Sequence, residues 1–120
     1  MESSCSEFVE KFIKVSPGLH ATYMETLDYW SPEEPPTTIL FGDLGIRIAD
    51  DFEKVDAAVN SQIFSLIETA IISGDDALIT AIATGTIEAV FGRVATEHWP
   101  NVLNLLGERS RKYAEAWLAS

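Results

Sequence analysis

Apolar residues recur at every third or fourth position through most of the chain, which is the spacing of one face of an α-helix. The pattern is clearest in the segment 55–91, VDAAVNSQIFSLIETAIISGDDALITAIATGTIEAVF. Its first half carries the apolar positions Val55, Val59, Ile63, Ile67, Ala70 and Ile71. Its second half repeats the spacing from Leu78 to Phe91. Because polar residues separate the apolar ones in both halves, the segment predicts two amphipathic helices.

A turn between these two helices is predicted at Ser73-Gly74-Asp75. Glycine readily takes the left-handed backbone conformation that ends a helix, and an aspartate can cap the next helix through its side-chain oxygen. The small residues Ala81, Thr84 and Gly85 would let another helix approach closely. The segment 55–91 should therefore form a central apolar helical hairpin, and the rest of the chain should cover it.

Shorter apolar stripes predict helices on both sides of the hairpin. One of Ser3, Ser4 and Ser6 can cap the first helix, whose apolar face begins a few residues later. Ser16 and Pro17 should start the second, because serine caps well and proline suits the first helical position. The segment 31–36, SPEEPP, should then form an exposed, stiff loop, because its prolines allow one helical turn at most. A simple linker is an equally good interpretation of that segment.

Thr37 or Thr38 should cap a third helix, in which Gly42 and Gly45 indicate a kink or a close helix crossing. A last helix should open in the segment 96–100 and bend at Gly107. The fold class predicted from these elements is all-α. We expect a compact antiparallel bundle of five to six helices around the central hairpin, with residues 1–120 forming a single domain.

Charge is the most unusual feature of the composition. The chain has 19 acidic and 8 basic residues, for a net charge of −11. The stretches 15–46 and 55–92 contain no lysine or arginine. Such a surface should repel phosphate backbones, which argues against a nucleic-acid partner, and should attract a basic protein. The alternative is that these acids mainly keep the protein in solution.

No apolar run is long enough to cross a bilayer, so no membrane partner is expected. The first residues, MESSCSEFVEKF, carry acids before any base and do not resemble a secretory signal. Cys5 is the single cysteine, which argues against disulfides. We therefore expect a cytoplasmic protein.

Groups suited to catalysis are few. His20 and His98 are the only candidates for a general base at neutral pH, and neither has a glutamate three positions before it, as the di-metal carboxylate bundles do. Glu68 and Glu88 would lie roughly 12 Å apart along the hairpin, too far to share a metal. Cys5 lies near the chain end with no base beside it. We therefore expect no enzymatic activity, no cofactor and no metal.

The segment 63–92, IFSLIETAIISGDDALITAIATGTIEAVFG, resembles small helical bacterial immunity proteins of the contact-dependent growth inhibition type. The matching features are the pair Ile67-Glu68, the turn Gly74-Asp75 and the pair Ile87-Glu88. The resemblance implies a cytoplasmic antidote that binds a cognate toxin domain, often a basic nuclease, and blocks its active site. An acidic surface would suit that task, because the inhibitor takes the place of phosphates.

Two hypotheses for function follow. In the first, the chain is a toxin-neutralising immunity protein whose contact surface is drawn from nine acidic residues. They are Glu33, Glu34, Asp43, Asp50, Asp51, Asp56, Asp75, Asp76 and Glu97. In the second, the chain is a helical adaptor or small-ligand-binding module with a groove near Trp30, Trp99 and Trp117. Aromatic residues at helical spacing more often belong to a core than to a pocket, so this hypothesis comes second. The sequence leaves the oligomeric state open.

Overall fold

The repeated helical spacing produces seven helices and no strand in the computed structural model, which describes residues 1–120. The helices are α1 (Ser3–Phe12), α2 (Pro17–Trp30), α3 (Thr37–Asp51), α4 (Ala57–Ile72), α5 (Asp76–Arg93), α6 (Thr96–Leu105) and α7 (Glu108–Ala119). The predicted all-α class is confirmed. The count exceeds six because the predicted last helix is divided at Leu106 and Gly107, where the backbone is extended.

Two helices have irregular segments. In α5, a π-helix at Ala81–Ile87 separates the α-helical segments Asp76–Thr80 and Glu88–Arg93. In α6, a 3-10 turn at Thr96–His98 precedes the α-helical segment Trp99–Leu105. No single helix has the length and apolar content to cross a membrane. Only α5 and α6 taken together would have both, and they are bent by 114° relative to each other.

Local capping chemistry sets the start of two helices as predicted. The Ser16 hydroxyl accepts a hydrogen bond from the Leu19 N–H at 3.2 Å, and Pro17 is the first residue of α2. The Asp75 carboxylate accepts one from the Leu78 N–H at 2.9 Å at the start of α5. Gly74, just before it, has the left-handed φ of +79° that the turn requires.

The predicted caps of α1 and α3 are wrong. Neither helix has a side-chain cap, and they begin after Glu2 and Pro36. Pro36 precedes both candidate threonines, so the chain has already entered the helix where they occur. Ser4 lies inside α1, and its hydroxyl donates to the Asp75 carboxylate at 2.9 Å. The serine therefore joins α1 to the start of α5 instead of capping its own helix.

The core is built from the apolar faces of all the long helices. Phe12, Phe41, Phe64 and Phe91 are fully buried and come from α1, α3, α4 and α5. Cys5 is also part of this core, because α1 packs its apolar face inward. Between α2 and α3, the loop 31–36 is exposed as predicted except for Pro35, which is buried.

Helices α3 and α5 cross at close range and make the most extensive contact in the bundle. A Cβ atom on Gly45 would lie 2.6 Å from the Thr86 carbonyl oxygen, and one on Gly85 would lie 2.9 Å from the Phe41 Cβ. The buried Thr86 hydroxyl donates to the Phe41 carbonyl at 2.9 Å. The close crossing expected from these glycines is therefore confirmed. The turn between α4 and α5 also lies where predicted, but the most extensive contacts of α5 are with α3.

Candidate functional site

An open groove runs between α2 and α3 on the surface of the bundle. Its volume is about 340 Å³. Its walls are Thr22, Glu25, Thr26, Tyr29 and Trp30 from α2, and Asp43, Ile46, Arg47 and Asp50 from α3. These residues recur at three- and four-residue intervals on each helix, so each set occupies one helical face. We refer to this site as the α2–α3 groove.

Carboxylates outnumber cations in the groove. Glu25 is exposed and has no hydrogen bond or ion pair. Asp43 accepts a hydrogen bond from the Thr26 hydroxyl at 2.9 Å, which leaves its other oxygen free for a partner. Asp50 lies 2.8 Å from Arg93 of α5 in an exposed ion pair. The groove therefore offers acceptors to a basic ligand from both of its walls.

The one cation in the groove, Arg47, is neutralised from outside it. The Arg47 Nε lies 2.8 Å from the Asp51 carboxylate, four residues later on α3. This hydrogen bond raises the pKa of Arg47. The carboxylate also lies against Gly18 in the first turn of α2, where a side chain would collide with it. Negative charge is favourable at a helix start, so Asp51 ties α3 to α2 and leaves the groove with a net negative charge.

Two aromatic side chains stand at one end of the groove. Tyr29 is 82% exposed, although large apolar or aromatic groups are usually more covered. Its ring lies 5.9 Å from the Trp30 ring at an interplanar angle of 72°. Aromatic faces attract arginine and lysine, and tyrosine and tryptophan are frequent anchors in protein interfaces. Carboxylates and aromatics together therefore make the groove suited to a basic protein surface.

Three of the nine predicted acids lie in or next to this groove. Asp43 and Asp50 are part of its wall. Glu33 is exposed in the following loop, and its backbone N–H donates to the Trp30 carbonyl at 2.8 Å. This hydrogen bond forms a turn that holds the backbone of Glu33 next to Trp30, at the aromatic end of the groove.

The other six acids are divided among different parts of the fold. Asp51 binds Arg47, Asp75 caps α5, and Glu34 accepts from the Met1 amino group at 3.0 Å. The side chains of the remaining three are exposed and make no hydrogen bond or ion pair. These are Asp56, Asp76 and Glu97, at the starts of α4, α5 and α6. The nine acids therefore do not form the walls of one groove.

Glu25, Tyr29 and Ile46 are groove residues that the sequence-based site prediction does not include. The signal that could have found them is the spacing on each helix: Glu25 and Tyr29 are four residues apart, and Asp43, Ile46 and Asp50 follow at intervals of three and four. A prediction based on charge alone does not use this helical spacing. The sequence also does not show that α2 and α3 are the helices that pack side by side.

The three tryptophans do not share a groove. Trp30 belongs to the α2–α3 groove, in which neither of the others is a wall. The Trp99 indole N–H donates to the Phe91 carbonyl at 3.1 Å, and Trp117 lies over Gly92. Both are partly buried against the core. The groove expected for a small ligand near all three is therefore not present, because two of them cover the end of α5.

Of the remaining ionisable candidates, His98, Glu68 and Cys5 take part in contacts within the bundle, whereas the side chains of His20 and Glu88 form no hydrogen bond or ion pair. The His98 Nε2 lies 2.6 Å from the Glu53 carboxylate, and His20 is exposed on α2. Glu68 of α4 accepts hydrogen bonds at the start of α7, whereas Glu88 lies on α5. Cys5 is buried, and this burial raises the pKa of its thiol. No group of three or more His, Cys, Asp or Glu side chains is placed to hold a metal ion.

Comparison with known proteins identifies one family. Neither the curated proteins nor the solved structures include a significant match to the chain. Residues 9–119, nearly the whole of the folded bundle, match one protein family. The chain therefore belongs to the family described as "Domain of unknown function (DUF7674)".

Proposed function

We propose that this chain is a protein inhibitor of the immunity type, which binds a basic partner protein through the α2–α3 groove. The observation that carries the proposal is the combination of Glu25, Asp43 and Asp50 with an almost fully exposed Tyr29 in one groove. A solubilising acidic surface does not need an exposed aromatic residue beside its carboxylates. An interface for arginine or lysine side chains uses both.

The expected partner is a basic toxin domain, such as a nuclease. An enzyme that cleaves nucleic acid presents cations to phosphates, and an inhibitor can occupy those cations with carboxylates. The net charge of −11 would speed the encounter with such a partner. The resemblance of segment 63–92 to growth-inhibition immunity proteins supports the same role. In this role the chain acts in the cytoplasm and performs no catalysis.

The test uses the products of genes adjacent to the one that encodes this chain. Each candidate toxin is co-expressed with the chain, and rescue of growth and co-purification at moderate salt are recorded. We expect rescue by the chain itself and loss of rescue in the triple variant Glu25→Gln, Asp43→Asn, Tyr29→Ala. The amide at position 43 keeps an acceptor for Thr26, so the bundle should remain folded.

A matched control removes the same kind of charge elsewhere. The variant Asp56→Asn, Asp76→Asn, Glu97→Gln changes three exposed acids that have no partner in the fold. We expect this variant to rescue growth fully. Equal loss of rescue in both triple variants would show that overall charge, and not the groove, drives binding. If none of the neighbouring products binds or is toxic, the inhibitor proposal fails and the adaptor hypothesis takes its place.

A further inference from the structure

A second groove lies on a different face, between the end of α4, the start of α5 and the length of α7. With a volume of about 710 Å³, it is the larger of the two. Its apolar lining includes Ile72, which is 58% exposed, together with Ile79 and Ala116. Tyr113, at 44% exposure, forms part of the wall. Two of the few large apolar residues exposed on this chain therefore meet in one concave site, which we call the α7 groove.

The rim of the α7 groove is basic, although the chain as a whole is strongly acidic. Arg109 and Lys112 line it, and neither belongs to an ion pair. The nearby Arg111 differs from them, because its Nε donates to the Leu103 carbonyl at 3.0 Å at the end of α6. Glu108, in the first turn of α7, is the single acid on the rim. Arg109 and Lys112 are therefore available for an external carboxylate.

The groove is held in place by hydrogen bonds between α4 and α7. Glu68 of α4 accepts hydrogen bonds from the Arg109 N–H at 3.1 Å and the Ser110 N–H at 2.9 Å. These bonds attach the start of α7 to α4 immediately beside the groove. Little ordering is then needed when a ligand binds, and this favours affinity.

We propose that the α7 groove binds an acidic amphipathic helix of a partner protein. Tyr113 lies four residues after Arg109, and Ala116 lies four residues after Lys112, so these four residues share one face of α7. This face extends about 10 Å, or two helical turns, which matches the apolar stripe of a docked helix. Acidic residues beside that stripe would reach the two unpaired cations.

Charge and shape favour an acidic helix in the α7 groove over two other occupants, a second copy of the chain and an anionic membrane. A second copy of the chain would bring another net charge of −11 to the interface, so repulsion disfavours it. An anionic membrane would repel the rest of the chain in the same way, and its flat surface does not match a concave site. A short acidic helix carries little total charge and fills the groove. This site has the opposite charge to the α2–α3 groove, so the inference is independent of the proposed function.

The experiment measures binding of a labelled helical peptide to the full chain by fluorescence anisotropy. The probe has about fourteen residues, with leucines at intervals of three and four, glutamates beside them and alanines elsewhere. A second peptide has lysine at every glutamate position. We expect binding of the acidic peptide only, with affinity falling as salt increases. The variant Arg109→Glu, Lys112→Glu should weaken binding about tenfold or more.

A control variant, Lys11→Glu, Lys14→Glu, makes the same charge change at exposed positions around the end of α1 and should bind as the unchanged chain does. Ile72→Asp, at an exposed position, should also weaken binding while circular dichroism shows an intact fold. The proposal is overturned by equal binding of the lysine peptide, by no binding of the acidic peptide, or by no effect of the α7 variant. It is also overturned if Ile72→Asp dissociates a dimer seen by light scattering, or if anionic vesicles bind through Arg109 and Lys112.

Discussion

The Glu68 carboxylate on α4 accepts hydrogen bonds from both the backbone N–H and the hydroxyl of Ser110 on α7, at 2.9 and 2.7 Å. The Arg109 N–H donates to its second oxygen at 3.1 Å. A glutamate 42 residues away therefore provides the N-terminal cap that α7 lacks within its own sequence. This contact fixes the last helix against the bundle.

Removal of this carboxylate should destabilise the protein. We expect Glu68→Ala to lower the free energy of unfolding by about 2 kcal/mol, because two N–H groups lose their acceptor and the buried Ser110 hydroxyl keeps only its 3.3 Å contact with the Gly107 carbonyl. Urea denaturation followed by circular dichroism measures the change. Glu88→Ala is the control, since Glu88 makes no hydrogen bond or ion pair, and it should change stability little. Similar losses in both variants would contradict the capping role.

The same contact predicts a pH dependence. Partial burial alone would raise the pKa of Glu68, but the hydrogen bonds from Ser110 and Arg109 outweigh it and the pKa is lowered. Because the pKa is lower in the folded state, the Glu68 carboxylate contributes its full stabilisation above the ordinary glutamate pKa of about 4.3. This stabilisation is lost as pH falls through the pKa of Glu68 in the folded protein. Stability should therefore decline less between neutral pH and pH 3 in Glu68→Gln than in the unchanged chain. Parallel plots of unfolding free energy against pH for the two proteins would show that ionised Glu68 does not contribute to stability.

The crossing of α3 and α5 should tolerate no side chain at Gly45. A Cβ atom there would lie 2.6 Å from the Thr86 carbonyl oxygen and 2.9 Å from the Ala89 Cβ. We expect Gly45→Ala to cost about 2 kcal/mol in the free energy of unfolding, because two backbones must separate. Gly42→Ala, one turn earlier, meets only the Gly85 carbonyl oxygen at 3.9 Å and should be neutral or slightly stabilising. Equal effects of the two substitutions in thermal unfolding would refute the close crossing.

The hydroxyl of Thr86 should contribute to the same crossing. It is buried and donates to the Phe41 carbonyl on the neighbouring helix at 2.9 Å. Thr86→Val keeps the shape and removes the donor, so we expect a loss of about 1 kcal/mol. Thr84→Val is the matched control, because the exposed Thr84 hydroxyl donates only within its own helix, to the Thr80 carbonyl. The difference between the two variants in urea denaturation isolates the interhelical bond.

Cys5 should react slowly in the folded protein. It is 1% exposed, and burial raises the pKa of its thiol, so little thiolate is present or accessible at neutral pH. We expect a thiol reagent to label it only as fast as the chain unfolds, and immediately in strong denaturant. The variant Ser120→Cys in a Cys5→Ala background places a thiol at an exposed end and should react at once. Rapid labelling of native Cys5 would show that α1 opens readily.

Helices, their apolar faces and several of their ends were determined by the sequence alone. Ser16, Gly74 and Asp75 act on backbone groups within three residues of themselves, so their roles follow from local chemistry. The glycines of α3 and α5 also indicated a close crossing before its partner helix was known. The predicted caps at Thr37 and Thr38 are wrong because the residue at which α3 begins depends on the backbone conformation of Pro36, at the end of the preceding loop.

Tertiary structure alone decided which helices meet and which charges share a site. Glu68 reaches Ser110, and Thr86 reaches Phe41, across more than forty residues of chain. The separation of Trp30 from Trp99 and the placement of Glu25 opposite Asp43 follow from the same packing. Helical periodicity specifies the face on which a residue lies, but not the helix that this face meets. The packing of the whole core determines which helices meet, because only one arrangement buries all the apolar faces together.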